Sequence, residues 1–253
     1  MDPVEISHGD HHQFIWLGSG DPETEKGVAS NQYAIIDSGE AMLLDPGGYH
    51  VFDRVFANVT RLVKPDKITR ALLSHQDPDV VASIVSWLEV QPRMKLYMSV
   101  LWDRFLPHFA LPVTPDVVGI PDEGSALTLA SGARLRFVPA HGLHSPGNFM
   151  VYDEKTRILF SGDLGAALMP PGEWRLFVED FDKHVTYMEG FHRRFMASTK
   201  ALRAFLKRVE GLPIDMVCPQ HGSIFKGPDV ARFFQWLSTL EVGFDYASWG
   251  DAG

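Results

Sequence analysis

Ser74-His75-Gln76-Asp77-Pro78-Asp79 follows an apolar run at 68–73 that has the composition of a buried strand. His75 and the two carboxylates Asp77 and Asp79 stand at alternate positions directly after this run. They offer the imidazole nitrogen and carboxylate oxygen donors that divalent metal ions bind in proteins. The stretch therefore predicts one half of a metal site.

The other half of the predicted site comes from three later residues, each located where a predicted strand ends and a loop begins. They are His144 in His144-Ser145-Pro146-Gly147, Asp163 in Ser161-Gly162-Asp163, and His221 in Pro219-Gln220-His221-Gly222. The complete set contains three imidazoles and three carboxylates, which are enough donors to hold two metal ions.

Short strands and amphipathic helices alternate along the chain. Apolar runs and period-two patterns predict strands at 14–17, 32–36, 41–44, 68–73, 135–138, 149–152, 157–160 and 215–218. Apolar residues at helical spacing predict helices over 51–63, 78–88, 188–209 and 229–240. Strands in two groups, each followed by helices, predict an α+β fold with two sheets sandwiched between helix layers. Since no linker or repeat divides the sequence, we expect 1–253 to form a single domain.

The composition excludes several classes of function. A net charge of −9 disfavours nucleic acid as a partner, because a polyanion would be repelled. The single Cys218 excludes an internal disulfide and a zinc cage of several thiolates. No apolar run approaches the roughly 20 residues that cross a bilayer, and the N-terminus lacks the features of a signal peptide. We therefore expect a cytoplasmic protein that does not associate with membranes.

In its order of motifs the chain resembles the metallo-β-lactamase superfamily, whose leading motif is His-x-His-x-Asp-His. Asp77 stands at the position of the middle histidine and Val80 at that of the last one. An acidic middle residue is similar to the flavodiiron branch, His-x-Glu-x-Asp, and most similar to its stand-alone oxygen-binding diiron proteins. The later landmarks agree with that branch, with 65 residues from Asp79 to His144, 19 from His144 to Asp163, and 58 from Asp163 to His221.

The resemblance implies a metallo-β-lactamase-like αββα sandwich with a dinuclear metal site at the sheet edge. It assigns His75, Asp77 and His144 to a first iron, Asp79 and His221 to a second, and Asp163 to both. It also implies a non-heme diiron protein that binds O2 as a bridging peroxide, for sensing or for reduction, and that also takes NO. Family members pair head to tail, so we expect a homodimer.

Whether such a centre senses oxygen or reduces it depends on the supply of electrons. Reduction of O2 to water takes four electrons, of which two ferrous ions supply two. We expect no attached flavodoxin domain, and residues 1–253 contain no flavin phosphate loop or nicotinamide fingerprint. We therefore expect that this chain binds no flavin, and sensing is favoured. A separate electron-donor protein would favour an oxidoreductase instead, and a signalling partner would fit a sensor.

The donor set also bears on the choice of metal. Three carboxylates cancel three of the four positive charges that two divalent ions bring. A carboxylate at position 77 in place of an imidazole adds a hard oxygen donor, which favours iron or manganese over zinc. The alternative function is a hydrolase of the same superfamily, in which two zinc ions generate hydroxide that attacks a thioester, lactone or phosphoester. Asp77 and the lack of a basic cluster beside the ligands disfavour this alternative.

Further polar residues are predicted to surround the site. His141 either replaces the ligand that is missing at Val80 or orients another ligand. Asp45 follows an apolar strand, and it fixes the following Pro-Gly-Gly loop or hydrogen-bonds a metal ligand. Tyr33 is a candidate hydrogen-bond donor to a bound peroxide.

The remaining histidines are predicted to have structural roles. His8, His11 and His12 form an N-terminal cluster of potential metal ligands, and a solvated or lightly packed tail is the favoured interpretation. His50, His108, His184 and His192 are interpreted as ordinary structural residues, although His184 and Tyr187 could lie near the mouth of the site. Arg193-Arg194 is interpreted as a solvated helix face.

Overall fold

A computed structural model describes residues 1–19 and 28–244. Its first sheet has seven strands in sequential order, antiparallel from β1 to β4 and parallel from β4 to β7. The strands are β1 (Val4–Gly9), β2 (His12–Ser19), β3 (Asn31–Asp37), β4 (Glu40–Leu44), β5 (Ile68–Leu72), β6 (Lys95–Ser99) and β7 (Asp116–Ile120).

The second sheet has six strands in the order β13-β12-β11-β10-β9-β8. They are β8 (Ser125–Thr128), β9 (Arg134–Pro139), β10 (Phe149–Asp153), β11 (Ile158–Gly162), β12 (Met216–Pro219) and β13 (Phe225–Lys226). Neighbouring strands are antiparallel except for β11 and β12, which run parallel. Parallel neighbours end at the same edge, so the loops after β11 and β12 lie side by side.

The α-helices of the described chain follow the strands in two groups. They are α1 (Phe52–Val59), α2 (Pro78–Val81), α3 (Ile84–Val90), α4 (Phe181–Phe195), α5 (Thr199–Val209) and α6 (Pro228–Thr239). Short 3₁₀ segments cover Tyr49–Val51, Pro65–Lys67 and Asp103–His108. None of the helices in the described residues is long and apolar enough to cross a membrane.

Alternation along β10 shows how the layers form. Phe149 and Val151 point into an aromatic-rich layer between the two sheets, whereas Met150 and Tyr152 face the layer under α4, α5 and α6. A third apolar layer, which includes Val55 and Trp87, joins the first sheet to α1 and α3. Because both faces of each sheet are covered, the central strands are apolar on both sides. The predicted arrangement of two sheets between helix layers is confirmed.

The helix predicted over 188–209 is two helices. α4 begins earlier, at Phe181, where the Asp180 carboxylate accepts a hydrogen bond from Lys183 N at 3.1 Å. The chain becomes extended at Met196, and the Ser198 hydroxyl then caps α5 by accepting from Ala201 N at 3.1 Å. A serine that caps a helix competes with the continuous helix which the apolar periodicity alone predicts.

The helix predicted over 78–88 is likewise divided, into α2 and α3, and α1 ends at Val59 rather than Val63. Sequence periodicity detects the apolar face of a helix, but it does not detect a short break within the same face.

The prediction of a solvated tail for His8, His11 and His12 is wrong for His12. Residues Val4–Gly9 form β1, which pairs with β2, and His12 opens β2 in a fully buried position. His12 Nδ1 lies 2.8 Å from an Asp37 oxygen and Nε2 lies 2.7 Å from an Asp153 oxygen. A buried imidazole is tolerated here because both of its nitrogens have carboxylate partners.

Candidate metal centre

Five of the six predicted ligands lie on loops at one edge of the sandwich, and the sixth, Asp79, lies in the first turn of α2. His75, Asp77 and Asp79 follow β5, His144 precedes β10, Asp163 follows β11 and His221 follows β12. Two backbone hydrogen bonds join the edges of the two sheets there, from Phe149 N to Ser74 O at 3.0 Å and from Asn31 N to Gln220 O at 2.6 Å. The fold therefore brings together side chains that are far apart in sequence.

The first group consists of His75, Asp77 and His144, whose potential ligand atoms all lie within 4.8 Å of one another. His144 Nε2 is 3.2 Å from Asp77 Oδ2, and His75 Nε2 is 3.8 Å from the same oxygen. Asp163 borders this group, with Oδ2 at 3.1 Å from His144 Nε2 and Oδ1 at 3.9 Å from His75 Nε2.

The second group consists of Asp79 and His221, and it also borders Asp163. His221 Nε2 is 3.1 Å from Asp79 Oδ2 and 3.8 Å from Asp163 Oδ1. Asp163 thus contacts imidazoles of both groups, whereas Asp77 pairs with the imidazoles of the first group and Asp79 with that of the second.

The donors at the centre of this cluster fit a bound cation. His75 Nε2, His144 Nε2 and Asp163 Oδ1 are buried without a hydrogen-bond partner. Although His144 Nε2 lies close to two carboxylate oxygens, its contacts lack hydrogen-bond geometry. A buried polar atom without a partner is costly, and a cation between these atoms would satisfy all of them. The donor set of imidazoles and carboxylates suits iron, manganese or zinc.

Two of the imidazoles are held through their other ring nitrogen. His221 Nδ1 lies 2.9 Å from the Ala29 carbonyl, so Nδ1 donates and Nε2 keeps its lone pair for the cluster. His75 Nδ1 lies 2.9 Å from the Ser74 hydroxyl. Asp45 accepts from both Ser74 N, at 2.8 Å, and Ser74 Oγ, at 2.6 Å. Asp45 therefore hydrogen-bonds the neighbour of a predicted ligand, and contacts that ligand only through the serine.

The protonation states reflect the same pairing. Burial lowers the pKa of His144, but the adjacent carboxylates of Asp163 and Asp77 outweigh it and raise the pKa to about 10. For His221, Asp79 and Asp163 outweigh burial and raise the pKa to about 9. Burial raises the pKa of Asp163, but His144, His75 and His221 reverse this and hold it well below its usual range. Since imidazole must lose its proton to bind a metal, binding here should release protons.

Burial has the opposite effect on two other residues at this edge. Burial dominates at His75 and lowers the pKa of its imidazole below the ordinary value. Burial also raises the pKa of Asp45 to about 7, against the hydrogen bonds from Ser74. His75 is therefore the imidazole of the cluster that is most readily neutral.

His141 and Tyr33 are engaged outside the cluster. His141 Nε2 lies 2.8 Å from the Asp122 carbonyl, and its ring packs edge-on against Phe149. The Tyr33 hydroxyl donates to the Pro219 carbonyl at 2.9 Å, so it braces the loop that carries His221. The Tyr33 hydroxyl is therefore not free to donate to a bound ligand, whereas His141 Nδ1 is buried without a hydrogen-bond partner.

Val80 points away from the cluster. It is fully buried in a small apolar group with Leu73, Val81, Met98 and Leu106. The position at which the superfamily motif has its last histidine therefore contributes to packing here.

Sequence reasoning missed several residues that shape the site. His192, interpreted as an ordinary structural residue, is buried in α4, and its Nε2 accepts from Gly165 N at 2.9 Å, two residues after Asp163. Phe191 and Phe195 stack on each other and approach the His144 ring edge-on. The spacing 188, 191, 192 and 195 on one helix was the only signal, and it is the ordinary signal of a core face.

Fold and cluster together define the class of the protein: a metallo-β-lactamase-like αββα sandwich with a candidate dinuclear metal site at its sheet edge. A family model described as "ODP family beta lactamase" matches residues 28–222. The chain therefore belongs to the ODP family of beta-lactamase-like proteins.

Solved structures support the same assignment. The chain is 43% identical to the protein solved as "Peroxy diiron species of chemotaxis sensor ODP", with a TM-score of 0.86 and coverage of 97% of this chain and 98% of that one. It is 44% identical to the apo state of the chemotaxis sensor ODP from T. denticola, with a TM-score of 0.84 and 97% of each chain covered. The flavodiiron protein from Giardia intestinalis, at 17% identity and a TM-score of 0.78, shares the fold.

Curated relatives are longer. The Diflavin flavoprotein A 1 of Synechocystis sp. is 25% identical over 218 residues, which are 84% of this chain and 37% of the relative. The chain spans between about a third and somewhat more than half of the length of the curated relatives it matches.

Proposed function

We propose that this chain is a non-heme diiron protein that binds dioxygen and reports its presence. The observation that carries the proposal is the convergence of His75, His144 and Asp163, whose ligand atoms are buried and unpartnered, with further donors on both sides. The 43% identity to a sensor solved as a peroxy diiron species, over nearly the full length of both chains, supports iron and dioxygen as the occupants.

The distances support one assignment of ligands. His75, Asp77 and His144 would hold one iron, Asp79 and His221 the other, and Asp163 would lie between them. A bound ferrous pair would supply electrons to dioxygen, as redox-inactive zinc cannot. The aspartates supply hard oxygen donors and offset most of the positive charge, and Ser74 and Ala29 fix two of the imidazoles.

The surroundings of His144 suit a small uncharged ligand. Phe191 and Phe195 cover one side of its ring, with centroid distances of 6.0 and 6.1 Å. Phe195 is about half exposed, so the aromatic pair forms an apolar surface beside the metal site. Such a surface disfavours charged substrates, and dioxygen and nitric oxide are both small and neutral.

The proposal of sensing is supported by the similarity to the protein solved as a chemotaxis sensor. We further propose a signalling partner protein, a cytoplasmic location and a homodimer. Light scattering of the iron-loaded chain tests the assembly. A mass of twice 28.3 kDa is expected, and a mass equal to that of one chain would contradict the homodimer.

Anaerobic reconstitution with ferrous iron tests the proposed function. We expect about two irons per chain and a visible absorption band that appears on exposure to air. The band should persist for minutes without added reductant if the protein is a sensor. A protein that prefers zinc, stays colourless in air and hydrolyses thioesters, lactones or phosphoesters would overturn the proposal in favour of the hydrolase.

A further inference from the structure

An apolar cavity of about 310 Å³ lies against the loop that carries His75, Asp77 and Asp79. Its wall includes Leu73, Gln76, Val81, Met98, Trp102 and Leu106. Gln76 stands between two of the predicted ligands, and Val81 is two residues after the third. The cavity therefore shares part of its wall with the metal-binding loop.

Two hydrogen bonds connect this wall to the loop of His144. The Ser145 hydroxyl donates to Gln76 Oε1 at 2.6 Å, and Trp102 Nε1 donates to the Pro146 carbonyl at 2.9 Å. The backbone packs tightly at the same place, since a Cβ on Gly147 would lie 2.9 Å from Trp102 Nε1. The loop of His144 is thus hydrogen-bonded to two residues of the cavity wall.

The chemistry of the wall favours apolar occupants over water. A buried water needs about two to four polar partners, whereas cavities lined by aliphatic and aromatic side chains stay dry and bind benzene or xenon. Here the oxygen of Gln76 already accepts from Ser145, and the indole N–H of Trp102 is used by Pro146. The other lining side chains are aliphatic or aromatic or, for Met98, a thioether.

The outer wall offers an entrance. Phe105 is about half exposed, and Trp102 and Phe109 are partly exposed, so the aromatic side of the cavity reaches the protein surface. Leu73, Met98 and Leu106 are buried and form the inner part. The cavity therefore runs from the surface toward the metal-binding loop.

We propose that this cavity is a binding site for small apolar molecules, and that dioxygen occupies it before it reaches the metal centre. Binding of apolar molecules follows from the cavity alone, whereas the assignment of dioxygen rests on the proposed function. Dioxygen is small and nonpolar, so transfer from water into such a cavity is favourable. The cavity would raise the local concentration of the ligand beside the loop that binds it.

Xenon tests the cavity without any metal. Crystals of the full chain pressurised with xenon should show a xenon peak between Met98 and Leu106. Leu106→Trp fills the cavity and should lose the peak. Leu206→Trp, which fills the separate groove between α5 and α6, should keep it. Absence of xenon from the parent protein, or its survival in Leu106→Trp, would overturn the proposal.

A second variant covers the case in which Leu106→Trp does not fold. Met98→Gln keeps nearly the same shape but adds an amide that attracts water, so xenon occupancy should fall without a change in volume. Full occupancy in Met98→Gln would contradict an apolar binding site.

Stopped-flow mixing of the ferrous protein with dioxygen tests the second part. The association rate should fall severalfold in Leu106→Trp and stay unchanged in Leu206→Trp, with equal iron content in both. An unchanged rate in Leu106→Trp would overturn the dioxygen assignment. If no variant and no parent protein reacted with dioxygen, the proposed function would fail, but the xenon result would still decide whether the cavity binds apolar molecules.

Discussion

Two clusters of histidine and aspartate lie at opposite edges of the sandwich, and they differ in how completely their polar atoms are paired. In the closed cluster, His12 lies between Asp37 and Asp153, and the carboxylates also accept hydrogen bonds from Ser131 and Thr156. In the open cluster, around Asp163, the central nitrogen and oxygen atoms have no hydrogen-bond partner.

The comparison shows that residue type alone does not identify a functional site. Both clusters are buried and both contain imidazole beside carboxylate. In the closed cluster each group satisfies the others, so it joins the two sheets and leaves no donor for a ligand. In the open cluster the same groups face a common point and require a cation.

The largest effect is expected from Asp163→Ala, which removes the carboxylate common to both ligand groups. After anaerobic loading, iron measured by elemental analysis should fall from about two per chain to near zero. Asp153→Ala, which removes a carboxylate of the closed cluster, is the matched control and should keep its iron. A fully loaded Asp163→Ala variant would show that the open cluster is not the metal centre.

The stability of the metal-free protein should depend on the closed cluster. Asp153→Ala leaves His12 Nε2 buried without a partner, so the free energy of unfolding should fall by about 3–5 kcal/mol. Urea denaturation of the metal-free protein measures this loss. Asp116→Ala breaks the exposed pair with Lys95 and should cost less than about 1 kcal/mol. Equal losses in the two variants would contradict a structural role for the closed cluster.

A smaller effect on metal binding is expected from Asp45→Ala. The substitution leaves Ser74, and through it the His75 ring, without its carboxylate partner. Iron affinity, measured by anaerobic titration, should fall by about 10–100-fold, as for other residues that orient a ligand. Asp45→Asn retains an oxygen acceptor and should lose less. Unchanged affinity in Asp45→Ala would show that the serine needs no such support.

The closed cluster should also give the stability a defined dependence on pH. Burial lowers the pKa of His12, but Asp153 and Asp37 outweigh it, so the pKa in the folded protein lies above the ordinary value of 6.5. The stability that protonated His12 contributes is then complete below pH 6.5 and is lost as the pH rises through the folded pKa. The loss amounts to about 1.4 kcal/mol for each pH unit that separates the unfolded and folded pKa values.

Unfolding of the metal-free parent and of His12→Gln measures this dependence. The stability difference between them should shrink as the pH rises through the folded pKa of His12. A difference that grows with pH would mean that His12 is neutral in the folded protein.

The smallest effect is expected from His8→Ala. The His8 side chain is mostly exposed, and it contacts Glu5 and Gln13 at the surface. Stability should change by less than about 0.5 kcal/mol, and the iron content should stay the same. Loss of iron in this variant would mean that the N-terminal histidines take part in metal binding after all.

Much of the fold could be predicted from the sequence, because apolar alternation and helical spacing are local signals. Four strands of the second sheet, β9 to β12, and the helix layers follow from such patterns, whereas β6, β7, β8 and β13 were not predicted. The break at Met196 could not be predicted in this way, since the apolar face continues on both sides and only the Ser198 cap marks it. β1 was missed because Val4–Gly9 is half exposed and shows little alternation.

The members of the candidate site could be predicted from sequence motifs, and their division into two ligand groups only from the family resemblance. His75 and Asp163 each stand within a recognisable sequence motif. The structure places His75 Nε2 3.9 Å from Asp163 Oδ1. His12 stands in no such motif, and its partner Asp153 lies 141 positions away in the sequence. The burial of His12 could therefore be found only from the folded chain. His192 was hidden for a related reason, because its partner is a backbone N–H that no sequence pattern reveals.

Anomalous diffraction at the iron edge, from crystals of the anaerobically reconstituted chain, tests the central claim most directly. We predict two iron peaks among His75, His144 and His221, with Asp163 between them, and no peak beside His12. An iron peak beside His12, or none within reach of Asp163, would contradict a diiron centre at the open cluster.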